Sequence, residues 1–244
     1  MEILGIDIGG SGVKGAPVDL DRGELLAERV RLETPQPAKP KAVADLVAQV
    51  VKGFDWKSPI GVGFPGIMRR NIAYTAANLH SSWIDRDLGK LFGDVSSCPV
   101  GVINDADAAG LAEMTYGAGR GQSGAVLLLT LGTGIGSALF IDGHLYPNTE
   151  FGHLQFKKTI AEKCASSAAR KERGLSWTEW GDDLNELLIH LKRIISPDLV
   201  IIGGGASSKF ERFGSRIDCD LRVVPAQLMN NAGIIGAALA GREI

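Results

Sequence analysis

Twice in 244 residues an apolar strand runs into a glycine-rich turn that carries a hydroxyl side chain and is followed at once by a returning strand. The first copy is Asp7-Ile8-Gly9-Gly10-Ser11-Gly12 and the second is Thr130-Leu131-Gly132-Thr133-Gly134-Ile135-Gly136. The immediate return makes each a hairpin, unlike the strand–turn–helix of a P-loop or a Rossmann unit. Glycine reaches positive φ and lets consecutive N–H groups converge on a phosphate. Ordinary hairpins use glycine too, so either turn alone fits both readings. The pair favours phosphate, because Asp7 ends the first strand and a third turn stands at Gly203-Gly204-Gly205. Ser11 and Thr133 add hydroxyl donors, and Asp7 can hold a hydrated Mg²⁺ that neutralises the anion. Duplicated halves of this kind predict an α/β fold of two lobes with a cleft between them.

The remaining pattern fits that plan. Apolar runs at Ile60–Phe64, Val100–Ile103, Ala125–Leu131 and Leu199–Ile202 predict buried strands. Val13–Asp19 and Ser137–Ile141 are the returning strands, and a third short strand is expected around Leu25–Leu32. Helical spacing predicts helices over Ala42–Val51, Ala106–Tyr116, roughly Ile160–Arg173, Trp177–Ile195 and Ala232–Leu239. The expected division is 1–103 for the first lobe and 104–244 for the second, with a last helix at about 231–244 able to pack back on the first.

Composition removes several classes. A formal net charge of −2 argues against a general nucleic-acid binder, which needs a strongly basic face. No apolar run approaches the roughly 20 residues that span a bilayer, and the opening run Ile3–Ile8 lacks the features of a signal peptide. Cys98, Cys164 and Cys219 are odd in number and widely spaced, which suits a reducing compartment. A soluble cytoplasmic protein is expected, with neither nucleic acid nor membrane as partner.

Three further groups carry candidate chemistry. Asp105 follows a buried strand and opens a helix, where open α/β sheets place ligands. Its carboxylate can take the proton of a hydroxyl attacking a phosphoryl group, or Asp105 or Asp107 can simply cap the helix. Glu150 and His153 can grip neighbouring sugar hydroxyls, one accepting and one donating, although a lone histidine is more often structural. Lys157, Lys158, Lys163, Arg170, Lys171 and Arg173 form a basic cluster. It reads either as a solvated helix face or as a groove for a polyanion, whose binding weakens with salt through counterion release.

Taken in order, these segments resemble the ROK family of sugar kinases (repressors, open reading frames and kinases), within the actin-like ATPase superfamily. The resemblance spans nearly the whole chain. Leu4 to Gly15, with Asp7, Gly9, Gly10, Ser11, Gly12 and Lys14, is similar to the family's first phosphate motif, and Leu131 to Gly136 to the second. Gly63-Phe64-Pro65-Gly66 and Asn78-Leu79 with Trp83 resemble its sugar-side loops. Asn104-Asp105-Ala106-Asp107-Ala108-Ala109-Gly110 resembles its catalytic motif, in which the aspartate matching Asp105 is the base. Glu150-Phe151-Gly152-His153 is similar to its Glu-x-Gly-His, while Gly203-Gly204-Gly205 and Ala232-Gly233 resemble its nucleoside-side turns.

The departures narrow the branch. Many members follow Glu-x-Gly-His with a cysteine-rich zinc loop, but Phe156 to Ala165 holds only Cys164, so no structural zinc site is expected. Ala161-Glu162-Lys163-Cys164-Ala165-Ser166-Ser167 resembles instead the branch that phosphorylates glucose from polyphosphate. There Glu162 matches a further sugar-binding glutamate, although Phe151 and Gln155 stand where that branch more often has Leu and Glu. The resemblance implies a two-lobed actin-like ATPase (ribonuclease H-like) fold, each lobe a mixed sheet flanked by helices. It implies a glucokinase with Asp105 as catalytic base and Asn78, Asn104, Glu150, His153 and Glu162 on the sugar. Gly132, Thr133 and Gly134 join the first motif on the phosphates. The donor is polyphosphate or ATP with Mg²⁺ held through water by Asp7, and the expected assembly is a homodimer. The rival readings are a strictly ATP-dependent kinase of glucose, mannose or an N-acetylated amino sugar, a sugar-sensing regulator, and an actin-like scaffold.

Overall fold

The structure is a computed structural model and describes residues 1–76 and 79–242. The chain forms two units, Met1–Ala112 with Asn231–Ile244, and Glu113–Asn230.

In the first unit β1 (Glu2–Gly9) turns back into β2 (Gly12–Asp19), and β3 (Glu24–Leu25) and β4 (Val30–Leu32) both pair with β2. The strand expected around Leu25–Leu32 is thus two short pieces. α1 (Pro40–Gly53) follows, with Pro40 in its first turn, where a missing N–H costs nothing. β5 (Ile60–Phe64) pairs parallel with β1, a small hairpin of β6 (Met68–Arg69) and β7 (Ile72–Ala73) intervenes, and α2 (Leu88–Ser96) leads into β8 (Val100–Asn104), parallel to β5. The sheet order is β3-β2-β1-β5-β8. α2 had no counterpart in the sequence pattern. It has nine residues, two of them glycine, and buries only Leu88 and Phe92, too few to make a period. Asp87 starts it by accepting the N–H of Lys90 at 2.9 Å.

α3 (Asp105–Tyr116) carries the chain into the second unit. β9 (Ala125–Leu131), β10 (Ile135–Ile141) and β11 (His144–Tyr146) form an antiparallel meander. A short hairpin of β12 (Gln155–Phe156) and β13 (Thr159–Ile160) precedes α4 (Ala161–Ala165) and α5 (Ser167–Glu172). The single helix expected over Ile160–Arg173 is therefore broken. Ser166 is extended at φ −73°, ψ 160°, and its hydroxyl accepts the N–H of Ala169, so it ends one helix and caps the next. α6 (Trp177–Ile195) begins at a reciprocal cap in which Ser176 and Glu179 each bind the other's backbone N–H. β14 (Leu199–Gly203) and β15 (Val223–Pro225) extend the sheet in parallel, giving the order β11-β10-β9-β14-β15.

Each sheet is thus a three-stranded meander followed by two parallel strands in the same order. The two glycine hairpins sit at equivalent places, between β1 and β2 and between β9 and β10. α7 (Ala232–Gly241) closes the chain in the first unit and lies on β1, β5 and β8. Its approach depends on glycine. A Cβ at Gly61 would overlap the carbonyl of Ala237, one at Gly5 the carbonyl of Ile234, and one at Gly236 the carbonyl of Ala108 in α3. Side chains fill the rest of both cores, around Phe64, Trp83 and Phe92 in the first unit and Trp180, Phe213 and Leu188 in the second.

Candidate active site

The first unit gathers three of the motifs on one sheet edge. Asp7 pairs with Gly63, and Phe64 pairs with Asn104, so β1, β5 and β8 end side by side. Asn104 is buried, and its side chain makes three hydrogen bonds that leave one amide N–H for a ligand. Its Oδ1 accepts the N–H of Ala106 at 2.9 Å and of Asp107 at 3.0 Å, and its Nδ2 donates to the carbonyl of Gly66 at 3.1 Å. It caps α3 and ties that helix to the Gly63–Gly66 turn. Asp105 is partly exposed as the first residue of α3, with Oδ1 2.8 Å from the N–H of Ala106. Gly63 lies beside the start of α3, where a Cβ on it would stand 3.7 Å from the Cα of Asp105, an ordinary van der Waals contact. Asn78 lies outside the described residues.

Asp7 and Lys14 face each other across β1 and β2, with Lys14 Nζ 3.2 Å from Asp7 Oδ2. A Cβ at Gly233 would come within 3.0 Å of the Asp7 carboxyl carbon, so the first turn of α7 closes over this carboxylate. Among the described residues no group of three or more His, Cys, Asp or Glu side chains could cage a metal. One carboxylate beside a glycine turn fits a Mg²⁺ ion that keeps most of its waters.

The second unit brings the other glycine turns together. Thr130 pairs with Gly203 across β9 and β14. Gly204 has φ +72°, and a Cβ there would sit 2.8 Å from the N of Leu131, so only glycine allows the Gly203–Gly205 turn to lie against the Gly132–Gly134 turn. Gly132 N–H donates to the carbonyl of Gly134 at 3.0 Å, which tightens the loop, and Thr133 is exposed at its tip. Glu162 lies beside the same loop, where a Cβ at Gly134 would stand 2.5 Å from its Oε2.

Glu150 precedes and His153 ends a 3₁₀ turn, Phe151–His153, with His153 Nδ1 3.5 Å from Glu150 Oε2. Gly152 lets this turn press on β10, since a Cβ there would overlap the carbonyl of Ile135. Ser137, wholly buried, holds the turn from below. Its hydroxyl donates to the carbonyl of Thr149 at 2.8 Å and accepts the N–H of Phe151 at 3.0 Å. Glu150 is thus fixed on both sides in sequence. Burial pushes its carboxyl above the ordinary range, nearby His153 offsets this in part, and the negative charge of Glu162 pushes it up again.

A raised carboxyl pKa means that the folded chain binds the proton more tightly than the unfolded one. Stability contributed by Glu150 is therefore present at low pH and is lost as pH rises through its folded pKa. Glu150→Gln is expected to raise the melting temperature near neutral pH, with the gain vanishing below about pH 4, where both states are protonated. Melts of both proteins from acid to neutral pH check this. An unchanged or lowered Tm for the variant at neutral pH would count against a strained Glu150.

The basic cluster divides. Asp183 accepts Lys157 at 2.6 Å and Arg173 at 2.7 Å, and Glu186 lies 2.9 Å from Lys157. Partial burial alone would lower the pKa of Lys157, but the bonds to these two carboxylates more than reverse that and raise it. Arg170 lies over the Trp177 ring, 4.1 Å from its centroid, and donates to the carbonyl of Leu175. Lys158, Lys163 and Lys171 are exposed.

Several residues that brace these turns had no such role assigned from the sequence. Besides Ser137, they include Ser167, whose hydroxyl donates to the carbonyl of Leu131 at 3.0 Å. Trp180 steadies the Ser166–Ser167 junction by donating to the carbonyls of Ala165 and Ser166. Glu113, wholly buried, accepts the N–H groups of Ala118, Gln227 and Leu228 at 2.7–3.1 Å and so anchors the segment after β15. Their partners are distant in sequence and produce no local pattern.

Known proteins share this architecture and much of this sequence. The chain is 47% identical over 238 residues to a polyphosphate glucokinase of Mycobacterium tuberculosis (strain CDC 1551 / Oshkosh), covering 97% of this chain and 90% of that protein. It is 33% identical to a glucokinase of Streptomyces coelicolor, covering 98% of this chain and 97% of the other. The crystal structure of an inorganic polyphosphate/ATP-glucomannokinase from Arthrobacter sp. strain KM superposes with a TM-score of 0.96 at 47% identity, covering 99% of this chain and 98% of that one. The paired mixed sheets are those of the actin-like ATPase fold. The ROK family model matches residues 3–168, and with these identities the chain belongs to the ROK family.

Proposed function

We propose that this protein is a glucokinase that transfers a phosphoryl group from inorganic polyphosphate, and also from ATP, to the 6-hydroxyl of glucose. The observation that carries the reading is the division of labour at the end of β8. Asn104 caps α3 through both of its Oδ1 contacts, so Asp105 is not required as the cap and its carboxylate can serve as base. The choice of glucose and of polyphosphate rests on the relatives, whose names carry both.

In the proposed reaction the 6-hydroxyl oxygen attacks the terminal phosphorus as its proton passes to Asp105. The bridging P–O bond breaks, and the donor leaves as ADP or as a polyphosphate one unit shorter. Asn104, Glu150, His153 and Glu162, with Asn78, would hold the sugar. Backbone N–H groups of the Gly9–Gly12 and Gly132–Gly134 turns that have no acceptor among the described residues, with the Thr133 hydroxyl, would stabilise charge on the transferring oxygens. Gly203–Gly205 would serve the nucleoside side when ATP is the donor. Lys14 and Asp7 would meet the phosphates, with Mg²⁺ held by Asp7 through water and supplying charge neutralisation there. The reading extends to a cytoplasmic homodimer. Three buried free cysteines suit a reducing compartment, and no described helix is long and apolar enough to cross a membrane.

One observation favours a second reading, an ATP-dependent kinase of glucose, mannose or an N-acetylated amino sugar. Lys157, Arg170 and Arg173 are engaged within the chain, although Lys157 and Arg173 stay exposed, which leaves Lys158, Lys163 and Lys171 as the exposed cations with no such contact among the described residues. Assaying glucose 6-phosphate formation with Mg²⁺, polyphosphate and ATP being offered separately across a salt series, decides between them. Turnover with polyphosphate that falls steeply with salt is expected. Turnover with ATP alone would leave the kinase and remove the polyphosphate donor.

A further inference from the structure

The carbonyl oxygens of the first glycine turn are all taken. Thr34 Oγ1 donates to the carbonyl of Gly9 at 2.7 Å, Gln36 Nε2 to that of Gly10 at 3.1 Å, and Arg31 Nη2 to that of Ser11 at 3.2 Å. Three consecutive acceptors are thus bonded by three side chains of one six-residue segment. Thr34 is buried, whereas Arg31 and Gln36 are exposed. The segment serves no sheet pairing beyond Leu32, so this contact is what its chain path accomplishes.

We propose that Arg31, Thr34 and Gln36 position the first phosphate loop, with Thr34 as the principal brace, so that the loop meets the phosphoryl donor with N–H groups rather than carbonyls. The proposal rests on the reading of Gly9–Gly12 as a donor-phosphate loop. In a trans peptide the C=O of one residue and the N–H of the next point to opposite sides. Holding the carbonyls of Gly9 and Gly10 toward the brace therefore aims the N–H groups of Gly10 and Ser11 away from it. Among the described residues neither N–H is bonded to an acceptor within the chain. A loop rich in glycine does not hold such an orientation by itself, because each peptide can flip. Dipoles fixed in advance stabilise developing phosphoryl charge without reorganisation at the moment of transfer. Arg31 adds a cation at the same place, its Nε 3.0 Å from where a Cβ on Gly12 would be.

The second unit repeats the device by other means. Ser167 Oγ donates to the carbonyl of Leu131, and the N–H of Ala168 donates to that of Gly132 at 3.1 Å; the N–H of Gly132 is taken by the carbonyl of Gly134, so the N–H of Thr133 is the one this brace aims outward. Two glycine turns with unrelated braces, each bonded through consecutive carbonyls, indicate that loop orientation is what is being held.

The test compares Thr34→Val, Thr34→Ser and Gln36→Leu with wild type. Steady-state kinetics are measured for donor and for glucose, and tripolyphosphate binding is measured by calorimetry without turnover. Thr34→Val is expected to lower kcat/KM for the donor about 10- to 100-fold and to weaken tripolyphosphate binding, with the KM for glucose within about twofold. Thr34→Ser, which keeps the hydroxyl, is expected to restore most of the loss, and the exposed Gln36→Leu to show a smaller loss of the same kind without a fall in Tm. Equal losses for donor and glucose, or no rescue by serine, would overturn the brace. So would tripolyphosphate binding that ignores all three variants or is missing from wild type. A wild type that binds tripolyphosphate through Thr34 but phosphorylates no sugar would instead overturn the glucokinase reading and leave the brace standing.

Discussion

Asp105→Asn is expected to lower kcat by about 10²- to 10⁴-fold, the range that a positioned general base supplies. Glucose affinity measured by direct titration is expected to stay within a few-fold. The substitution keeps size and shape while removing the negative charge and the ability to take a proton, with one acceptor oxygen becoming an N–H donor. The fold at this point hangs on the neighbouring residue, since Asn104 caps α3 and reaches the Gly66 carbonyl. The melting temperature should therefore change little. Because kcat should fall without a matching rise in KM, the loss lies in the transition state and not in substrate binding. An asparagine variant with near-normal turnover would remove Asp105 from the mechanism. A variant that lost turnover and stability together would point to a structural role instead.

Gly61→Ala is expected to be among the most destabilising glycine-to-alanine changes at the described residues. The new Cβ would overlap the carbonyl oxygen and carbon of Ala237 and come within 2.9 Å of the N of Gly241. Both obstacles are backbone, and neither can rotate aside. α7 must then lift from β5, and it carries Ile234, Ile235, Ala237 and Ala238 into the core. Overpacking typically costs about 1–3 kcal/mol where side chains can adjust, and here the cost should reach or pass the top of that range. At about 2–4 °C per kcal/mol for a chain of this size, the melting temperature should fall on the order of 6–12 °C. Thermal melts at one pH are sufficient to check this, and a fall under about 2 °C would show that the helix is seated less tightly than its geometry states.

The strands show how much of the fold a local reading can reach. Ile60–Phe64, Ala125–Leu131 and Trp177–Ile195 have the bounds that their apolar patterns imply, because a buried strand or an amphipathic helix writes its period into consecutive residues. α2 failed that reading because two buried residues in nine make no period. The break at Ser166 failed it for a different reason. A helix-compatible pattern ran on both sides of a serine whose capping bond outweighs continuation.

The repeated strand–glycine turn–strand pattern was legible because it uses local rules alone, and it led directly to two sheets of the same order. The residues with candidate chemistry were legible for the same reason, since Asp7, Asn104-Asp105 and Glu150–His153 stand at strand ends or turns that the pattern marks. The parts that hold them were not. Thr34 reaches back 25 residues to Gly9, Ser167 reaches back 36 to Leu131, and Leu228 donates to Glu113 across 115. The division of the basic residues between ion pairs and open surface was settled by Asp183 on α6, not by their own spacing. Sequence alone thus determined the elements and the chemistry-bearing turns, because those follow from periodicity and φ. Only the tertiary structure decided which side chains orient the turns, because hydrogen bonds over such separations depend on how the chain is folded and leave no pattern among neighbours.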